Sequence, residues 1–277
     1  MKKLMMITIV LSLLFGFKTS AVTVSLPQPS VSAASAIVID ADTGKVFFSK
    51  NSDEIRAVAS LTKVMTTILT LEAGDLDKQF MVDNQAIHVE GTSMGLREND
   101  IVTRRALCYG MMLPSGNDAA NASAVSVSGS LPEFVKLMNQ KAKQIGMKNS
   151  TYANPHGLDQ AGHLSTARDM AVLTAYAMKN SDFREMCKSK TARLEFGNPP
   201  YKRSVSNNNK MLFSYEGCIG VKTGFTDNAR RCLISAAERN GRTLISVTLN
   251  APDDWNDHIK MLNHGFNTLK VLERNYE

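Results

Sequence analysis

Apolar residues along this chain fall into two rhythms. Ala36-Ile37-Val38-Ile39-Asp40 and Val46-Phe47-Phe48-Ser49 are short apolar runs around a polar turn, Asp42-Thr43-Gly44-Lys45, and they predict a β-hairpin. From Ser60 to about residue 180 the pattern becomes helical. Phe134, Val135, Leu137, Met138, Ala142 and Ile145 give one apolar face to a helix over 131–145, and another helix is expected over 166–178. Strand character returns in Cys218–Lys222, Cys232–Ala236 and Thr243–Leu249, an expected antiparallel meander. The chain closes on Trp255, Ile259, Leu262, Phe266, Leu269 and Leu272, spaced three and four apart after Asp253-Asp254, which predicts an amphipathic helix packed on the sheet. Strands at both ends around a helical middle imply an α/β (α+β) fold: one antiparallel sheet completed by N- and C-terminal strands, with an α subdomain inserted over about 65–180.

The first residues follow a different logic. Met1-Lys2-Lys3 leads into an apolar run from Leu4 to Phe17 and then small and polar residues, the pattern of an export signal. Removal is expected after Ala21, Ala33 or Ala34, leaving one domain over 35–277 that acts outside the cytoplasmic membrane as a secreted body. Contact with a membrane is expected only through the N-terminal segment, if it stays uncleaved. No C-terminal β domain or anchor is expected. The formal charge of +6 falls to +3 without Lys2, Lys3 and Lys18, which is no nucleic-acid footprint. Cys108, Cys187, Cys218 and Cys232 lie far apart without Cys-x-x-Cys spacing, and the histidines show no ligand spacing, so neither a metal nor another cofactor is called for.

Candidate chemistry begins with Ser60-Leu61-Thr62-Lys63. A hydroxyl and an amine three residues apart share one helix face, where a neutral lysine can take the proton of an attacking serine. Such a lysine must have its pKa lowered by burial or by neighbouring cations. On its own the pattern is weak, since roughly one Ser-x-x-Lys arises by chance in a chain this long, and its plain alternative is a capped helix start with Lys63 in solvent. Two further tripeptides change the odds: Ser115-Gly116-Asn117 in a tight loop, and Lys222-Thr223-Gly224 at the end of an expected strand. Each is expected about 0.05 times by chance.

In that order the three motifs resemble those of the penicillin-binding proteins and serine β-lactamases. Ser-Gly-Asn in the second position is similar to the low-molecular-mass, serine-type D-alanyl-D-alanine carboxypeptidases. Gly91–Leu96, Met112–Ala120 and Asn154–Asp159 extend the likeness. The resemblance implies a hydrolase that removes the terminal D-alanine of peptidoglycan stem peptides through an acyl-serine and is acylated by β-lactams. It further implies Ser60 as nucleophile, Lys63 as base and Ser115 as proton relay. Asn117, Lys222, Thr223 and Gly224 would bind substrate, and the backbone of Phe225 with that of Ser60 would hold the oxyanion. His156 would lie on a loop bordering the site and support deacylation indirectly, its plain alternative being a loop histidine bonded to nearby backbone. A β-lactamase and a non-catalytic penicillin-recognising sensor are the alternatives. Asp169 reads as part of a capping box with Thr166, and Arg231 as either a substrate-facing residue or an exposed strand arginine. Arg230 and Asp227 depart from the family pattern and leave the charge of this rim open.

Overall fold

The computed structural model describes residues 26–274; the expected leader, as far as residue 25, lies outside the described residues. β1 (Ser35–Asp40) and β2 (Val46–Lys50) form the expected N-terminal hairpin. A single 3-10 turn, Ala59–Thr62, then leads into α1 (Lys63–Glu72). A small pair, β3 (Gln79–Met81) and β4 (Ile101–Thr103), precedes the helices α2 (Arg104–Met112), α3 (Asn117–Ser128), α4 (Leu131–Gln144), α5 (Ala167–Ala177) and α6 (Ser181–Lys188). The hairpin β5 (Thr191–Gly197) and β6 (Pro200–Ser206) and the short α7 (Met211–Ser214) follow. β7 (Cys218–Thr226), β8 (Arg230–Arg239) and β9 (Arg242–Leu249) make the meander, and α8 (Asp254–Arg274) ends the chain.

Four of the helices start where a side chain can accept an orphan amide: Thr103, Ser130, Thr166 and Asn180 each accept from the N–H three residues on. Thr166 caps α5 through the N–H of Asp169. The Asp169 carboxylate turns outward to hold Lys148 N, Asn149 N and Ser150 Oγ, a structural role as expected.

The large sheet runs in the order β2-β1-β9-β8-β7, all antiparallel. Its two halves join through β1 and β9, with Ser35 opposite Leu249 and Asp40 opposite Leu244, so strands from both ends of the chain complete one sheet. α8 covers one face. α5, α6, the 3-10 turn and, behind them, α1 cover the other. β1 is therefore buried at every position and β9 at all but its first, which explains why both read as unbroken apolar runs rather than as alternating ones.

Two expectations need correcting. The hairpin β5–β6 was not expected, although Ala192, Leu194 and Phe196 alternate with exposed residues along it. The buried face of α8 is also turned from the expected stripe. Met261, Leu262, Gly265 and Leu269 are buried, whereas Trp255, Ile259, Phe266 and Leu272 are only partly covered. At its centre His258 lies between Ser246 Oγ and Thr248 Oγ1 at 2.7 and 3.0 Å, kept neutral because burial pushes its pKa down to about 3. Among the described residues no helix is long and apolar enough to cross a membrane.

The folded body also begins before Ser35. The buried Asp257 carboxylate accepts from Ser32 N at 2.8 Å, Ser32 Oγ at 2.7 Å and Ala33 N at 2.9 Å, while Ala34 N donates to Asn250 O. Cleavage after Ala33 or Ala34 would cut through this clamp. Leaving a buried carboxylate without these donors costs about 2 kcal/mol or more. A chain starting at Ser35 is therefore expected to melt about 5 °C or more below one starting at Leu26, measured by calorimetry. Equal melting temperatures would show that the clamp is dispensable.

Candidate active site

Ser60 sits one residue after a strained backbone position. Ala59 has φ +48°, a left-handed conformation that residues with a Cβ adopt rarely, and the surroundings hold it there. Thr62 Oγ1 donates to Ala59 O at 2.8 Å, and Gly157 packs so closely that a Cβ on it would lie 2.0 Å from that same oxygen. Thr62 is fixed in turn by His163, whose Nε2 lies 2.7 Å from Oγ1. Because His163 Nδ1 accepts from Ala153 N at 3.1 Å, the ring proton is on Nε2 and donates to Thr62. Burial holds the His163 pKa down at about 4, so this chain of hydrogen bonds is intact at neutral pH. His163 was missed by sequence reasoning; it lies 101 residues from Thr62, and no local pattern links the two.

Lys63 opens α1 and is fully buried, which excludes the solvent-facing alternative. Its Nζ lies 2.8 Å from Ser60 Oγ, 2.7 Å from Asn117 Oδ1 and 2.7 Å from His156 O. None of these three oxygens belongs to a carboxylate. Burial first, and then the charge of Lys222, hold its pKa well below the ordinary lysine value. Asp118 pulls the other way, but its carboxylate is already engaged by Ser93 Oγ, Met94 N, Gly95 N and Leu96 N.

The opposite wall comes from the loop between α2 and α3. Ser115 has φ +70° and is pinned by its neighbours: Thr92 Oγ1 donates to Ser115 O, Gly116 N to Gly110 O and Asn117 N to Thr92 O. Asn117 Nδ2 donates to Glu90 O at 2.7 Å, which turns Oδ1 toward Lys63. Neither Ser115 nor Asn117 caps α3; the N-cap is Gly116.

β7 supplies the third wall. It runs on to Thr226, so Lys222-Thr223-Gly224 lies inside the strand rather than at its end. Lys222 is buried, donates to Ser115 Oγ at 3.0 Å and to Thr223 O at 2.9 Å, and burial pushes its pKa down to about 7. A Cβ on Gly224 would lie 3.2 Å from Ser60 N and 3.3 Å from Leu61 N, a tight fit that would push strand and serine a few tenths of an ångström apart. β7 is an edge of the sheet, and its outer edge borders a cleft of about 450 Å³ lined by Ser60, Ser115, Asn117, Thr223, Gly224 and Phe225 among others.

The fold thus gathers eight of the nine expected side chains or strand positions around one cleft. His156 is the exception. Its carbonyl holds Lys63, while the residue borders a separate hollow with Leu131, Pro132 and Val135; its Nδ1 accepts from Leu158 N, and burial, then the charge of Lys63, pushes its pKa down to about 3. Arg231 does reach the cleft, where it is paired with Asp254 at 2.7 Å beside Trp255. The described residues contain no group of three or more His, Cys, Asp or Glu able to hold a metal ion.

The sequence profile of D-alanyl-D-alanine carboxypeptidases, peptidase S11, matches residues 21–253. The chain belongs to this family. It is 38% identical to the D-alanyl-D-alanine carboxypeptidase DacF of Bacillus subtilis over 84% of its own length and 62% of the relative's, so it spans less than two thirds of that protein. A relative from Escherichia coli named D-alanyl-D-alanine endopeptidase is 31% identical, with 84% of this chain and 76% of the relative covered. The crystal structure of the Streptomyces K15 DD-transpeptidase superposes with a TM-score of 0.82 at 32% identity, covering 87% of this chain and 100% of that one. The α/β penicillin-binding fold is therefore shared. Family members act on peptidoglycan outside the cytoplasm, which agrees with the exported location read from the N-terminal pattern.

The buried lysines have a consequence for stability in this carboxypeptidase-family fold. The unfolded chain binds a proton on Lys222 up to about pH 10.5, whereas the folded chain loses it near 7. Within that window the unfolded state holds more protons, so this residue's contribution to stability rises with pH and is least favourable near and below pH 7. Lys222→Met is expected to raise the melting temperature at pH 7, with a gain over the parent that shrinks toward pH 10. A gain that is constant or grows with pH would show that Lys222 is not desolvated in this way.

Proposed function

We propose that the chain is a serine-type D-Ala-D-Ala carboxypeptidase in which Ser60, Lys63 and Ser115 carry the chemistry. The observation that bears most weight is the contact of Lys63 Nζ with Ser60 Oγ at 2.8 Å, made by an amine whose pKa is held low in a site where no carboxylate contacts it. In this reading Ser60 Oγ attacks the carbonyl carbon of the penultimate D-alanine while its proton passes to Lys63 Nζ. The N–H groups of Ser60 and Phe225 receive the oxyanion, each worth about 2.7–4 kcal/mol in the transition state. The C–N bond then breaks. The proton taken up by Lys63 is relayed through the Ser115 hydroxyl, itself hydrogen-bonded to Lys222, to the departing amine of the terminal D-alanine, which leaves Ser115 a hydroxyl and Lys63 neutral again.

Substrate enters as an extra strand along β7, with Asn117 holding its backbone from the opposite wall. Lys222 and Thr223 receive its terminal carboxylate, which Lys222 binds in its protonated form. Gly224 leaves room for the peptide beside Ser60. Water then attacks the ester with Lys63 as base, releasing the shortened peptide. His156 serves this scheme through its carbonyl on Lys63, an indirect support of deacylation. The same acyl-serine accounts for β-lactam binding, since the strained amide acylates Ser60 in place of the peptide.

A pentapeptide ending in D-Ala-D-Ala should yield one D-alanine and one tetrapeptide per turnover, read by mass spectrometry. Transfer of the peptide to an added amine in place of hydrolysis would assign the acceptor differently. A β-lactam should leave a 1:1 adduct on Ser60 that Ser60→Ala does not form. Rapid release of hydrolysed drug without a lasting adduct would indicate a β-lactamase, and an adduct without peptide turnover would indicate a sensor.

Lys63→Arg tests the base separately, because arginine keeps the charge but cannot shed its proton. The variant should fold and acylate about 100- to 10,000-fold more slowly. A normal rate in a folded Lys63→Arg chain would remove Lys63 from the mechanism.

A further inference from the structure

The charge of this protein is unevenly placed. Between Lys188 and Lys210 stand six basic residues, Lys188, Lys190, Arg193, Lys202, Arg203 and Lys210, against one acid, Glu195. Of the chain's 32 basic and 26 acidic residues this leaves 26 and 25 elsewhere, so this one segment holds nearly all of the formal charge of +6. All six are exposed. Among the described residues only Lys202 of these six has a carboxylate within reach, that of Glu195 at 3.9 Å, whereas Arg56, Arg105, Arg168, Arg184, Arg231 and Arg242 elsewhere on the surface are all ion-paired.

This basic surface is fixed to the cleft. Asn207 N donates to Lys190 O, and Asn208 N donates to Leu113 O, two residues before Ser115. Asn208 and Lys210 themselves line the cleft. Further along, Arg203 lies over Gly95, on the loop that the Asp118 carboxylate holds. Arg193 and Lys202 stand on the exposed face of the β5–β6 hairpin, and Lys190 sits 5.0 Å over the ring of Phe213, which is 62% exposed. A substrate lying in the cleft and extending past Lys210 meets six cations and, among the described residues, one loosely placed carboxylate, that of Glu195.

We propose that the face formed by the β5–β6 hairpin and the start of α7 is a docking surface for the carboxylate-bearing peptides of polymeric peptidoglycan. It would hold the polymer while one terminal dipeptide enters the cleft. The proposal rests on the activity proposed above. Continuity with the cleft favours this partner over an anionic lipid surface. Screening confines such attraction to about 8 Å at physiological salt, so the surface acts on a polymer laid across it and not on a small donor held at Ser60.

The test uses the exported full chain and the variant Lys188→Gln/Lys190→Gln/Arg193→Gln/Lys202→Gln, none of whose positions lines the cleft. Peptidoglycan stripped of phosphate-bearing polymers and a small peptide ending in D-Ala-D-Ala, with no charge besides its terminal carboxylate, serve as substrates. At low salt the variant should show a KM for the polymer raised about 5- to 10-fold with kcat unchanged. Its kinetics on the small peptide should match the parent's, and the KM difference should vanish near 0.5 M salt. An unchanged polymer KM overturns the proposal, as does an equal rise for the small peptide, which would mean a damaged cleft. A defect seen only on walls that keep their phosphate polymers would overturn it in favour of a phosphate ligand. Loss of binding to anionic vesicles with polymer KM intact would assign the face to a membrane. Absence of small-peptide turnover in the parent as well would instead strike the activity reading.

Discussion

Two lysine amines share one dry site, and the rest of the structure is arranged around the cost of putting them there. Lys63 and Lys222 are both buried, and neither contacts a carboxylate among the described residues. Burial disfavours the charged form of each, and the charge of Lys222 disfavours that of Lys63 further. A carboxylate facing either amine would relieve the strain and would also restore an ordinary ammonium. Asp118, the acid whose field does reach Lys63, is kept from this by five protein donors on its oxygens. What remains around Lys63 are neutral acceptors: a hydroxyl, an amide oxygen and a backbone carbonyl. These suit a lysine that gives up its proton at one moment and takes one at the next.

Holding such a site requires rigidity that the three motifs do not supply by themselves. Ala59 and Ser115 both occupy left-handed backbone conformations next to functional groups, each costing about 1–3 kcal/mol, and each persists because its neighbours leave no alternative. For Ala59 the constraint comes from Gly157, Thr62 and His163. For Ser115 it comes from Thr92 and Gly110. The residues that set the geometry therefore lie as far as 101 positions along the chain from those they hold, or touch the site only through a hydroxyl or a carbonyl.

That separation explains what was legible in the sequence. Strands such as β1 and β9 and the helix α4 could be read because burial dictates their apolar spacing. Ser60, Lys63, Ser115, Asn117 and Lys222-Thr223-Gly224 could be read because three short motifs occur together in order. The clamp from Asp257 to Ser32 and Ala33 could not, since a small polar stretch after an apolar leader looks alike whether it is discarded or folded. The contact through which His156 reaches the site was hidden for a related reason. Its carbonyl does the holding, and a backbone group leaves no trace in residue identity. The β5–β6 hairpin had its alternation, but its charged exposed positions resembled a solvated loop.

The placement of the site on a seam ties these elements together. Ser60 and Lys63 come from the helical body, as do Ser115 and Asn117, whereas Lys222 to Thr226 belong to the sheet. Contact across the seam is close enough that a methyl group on Gly224 would press on Ser60 N, and the bond from Lys222 to Ser115 spans it directly. Displacement of about 1 Å between reacting groups is enough to lower a rate about 100-fold. The sheet must therefore be stiff, which it is because its central strands are covered on both faces and because β1 binds the N-terminal hairpin to the C-terminal meander. The one long strand edge left open beside the cleft is that of β7, and this is where a peptide can add as a further strand. Closing the sheet at β1 and leaving it open at β7 are thus two halves of one solution: the first fixes the wall, and the second leaves it free for the strand-like substrate of the proposed reading.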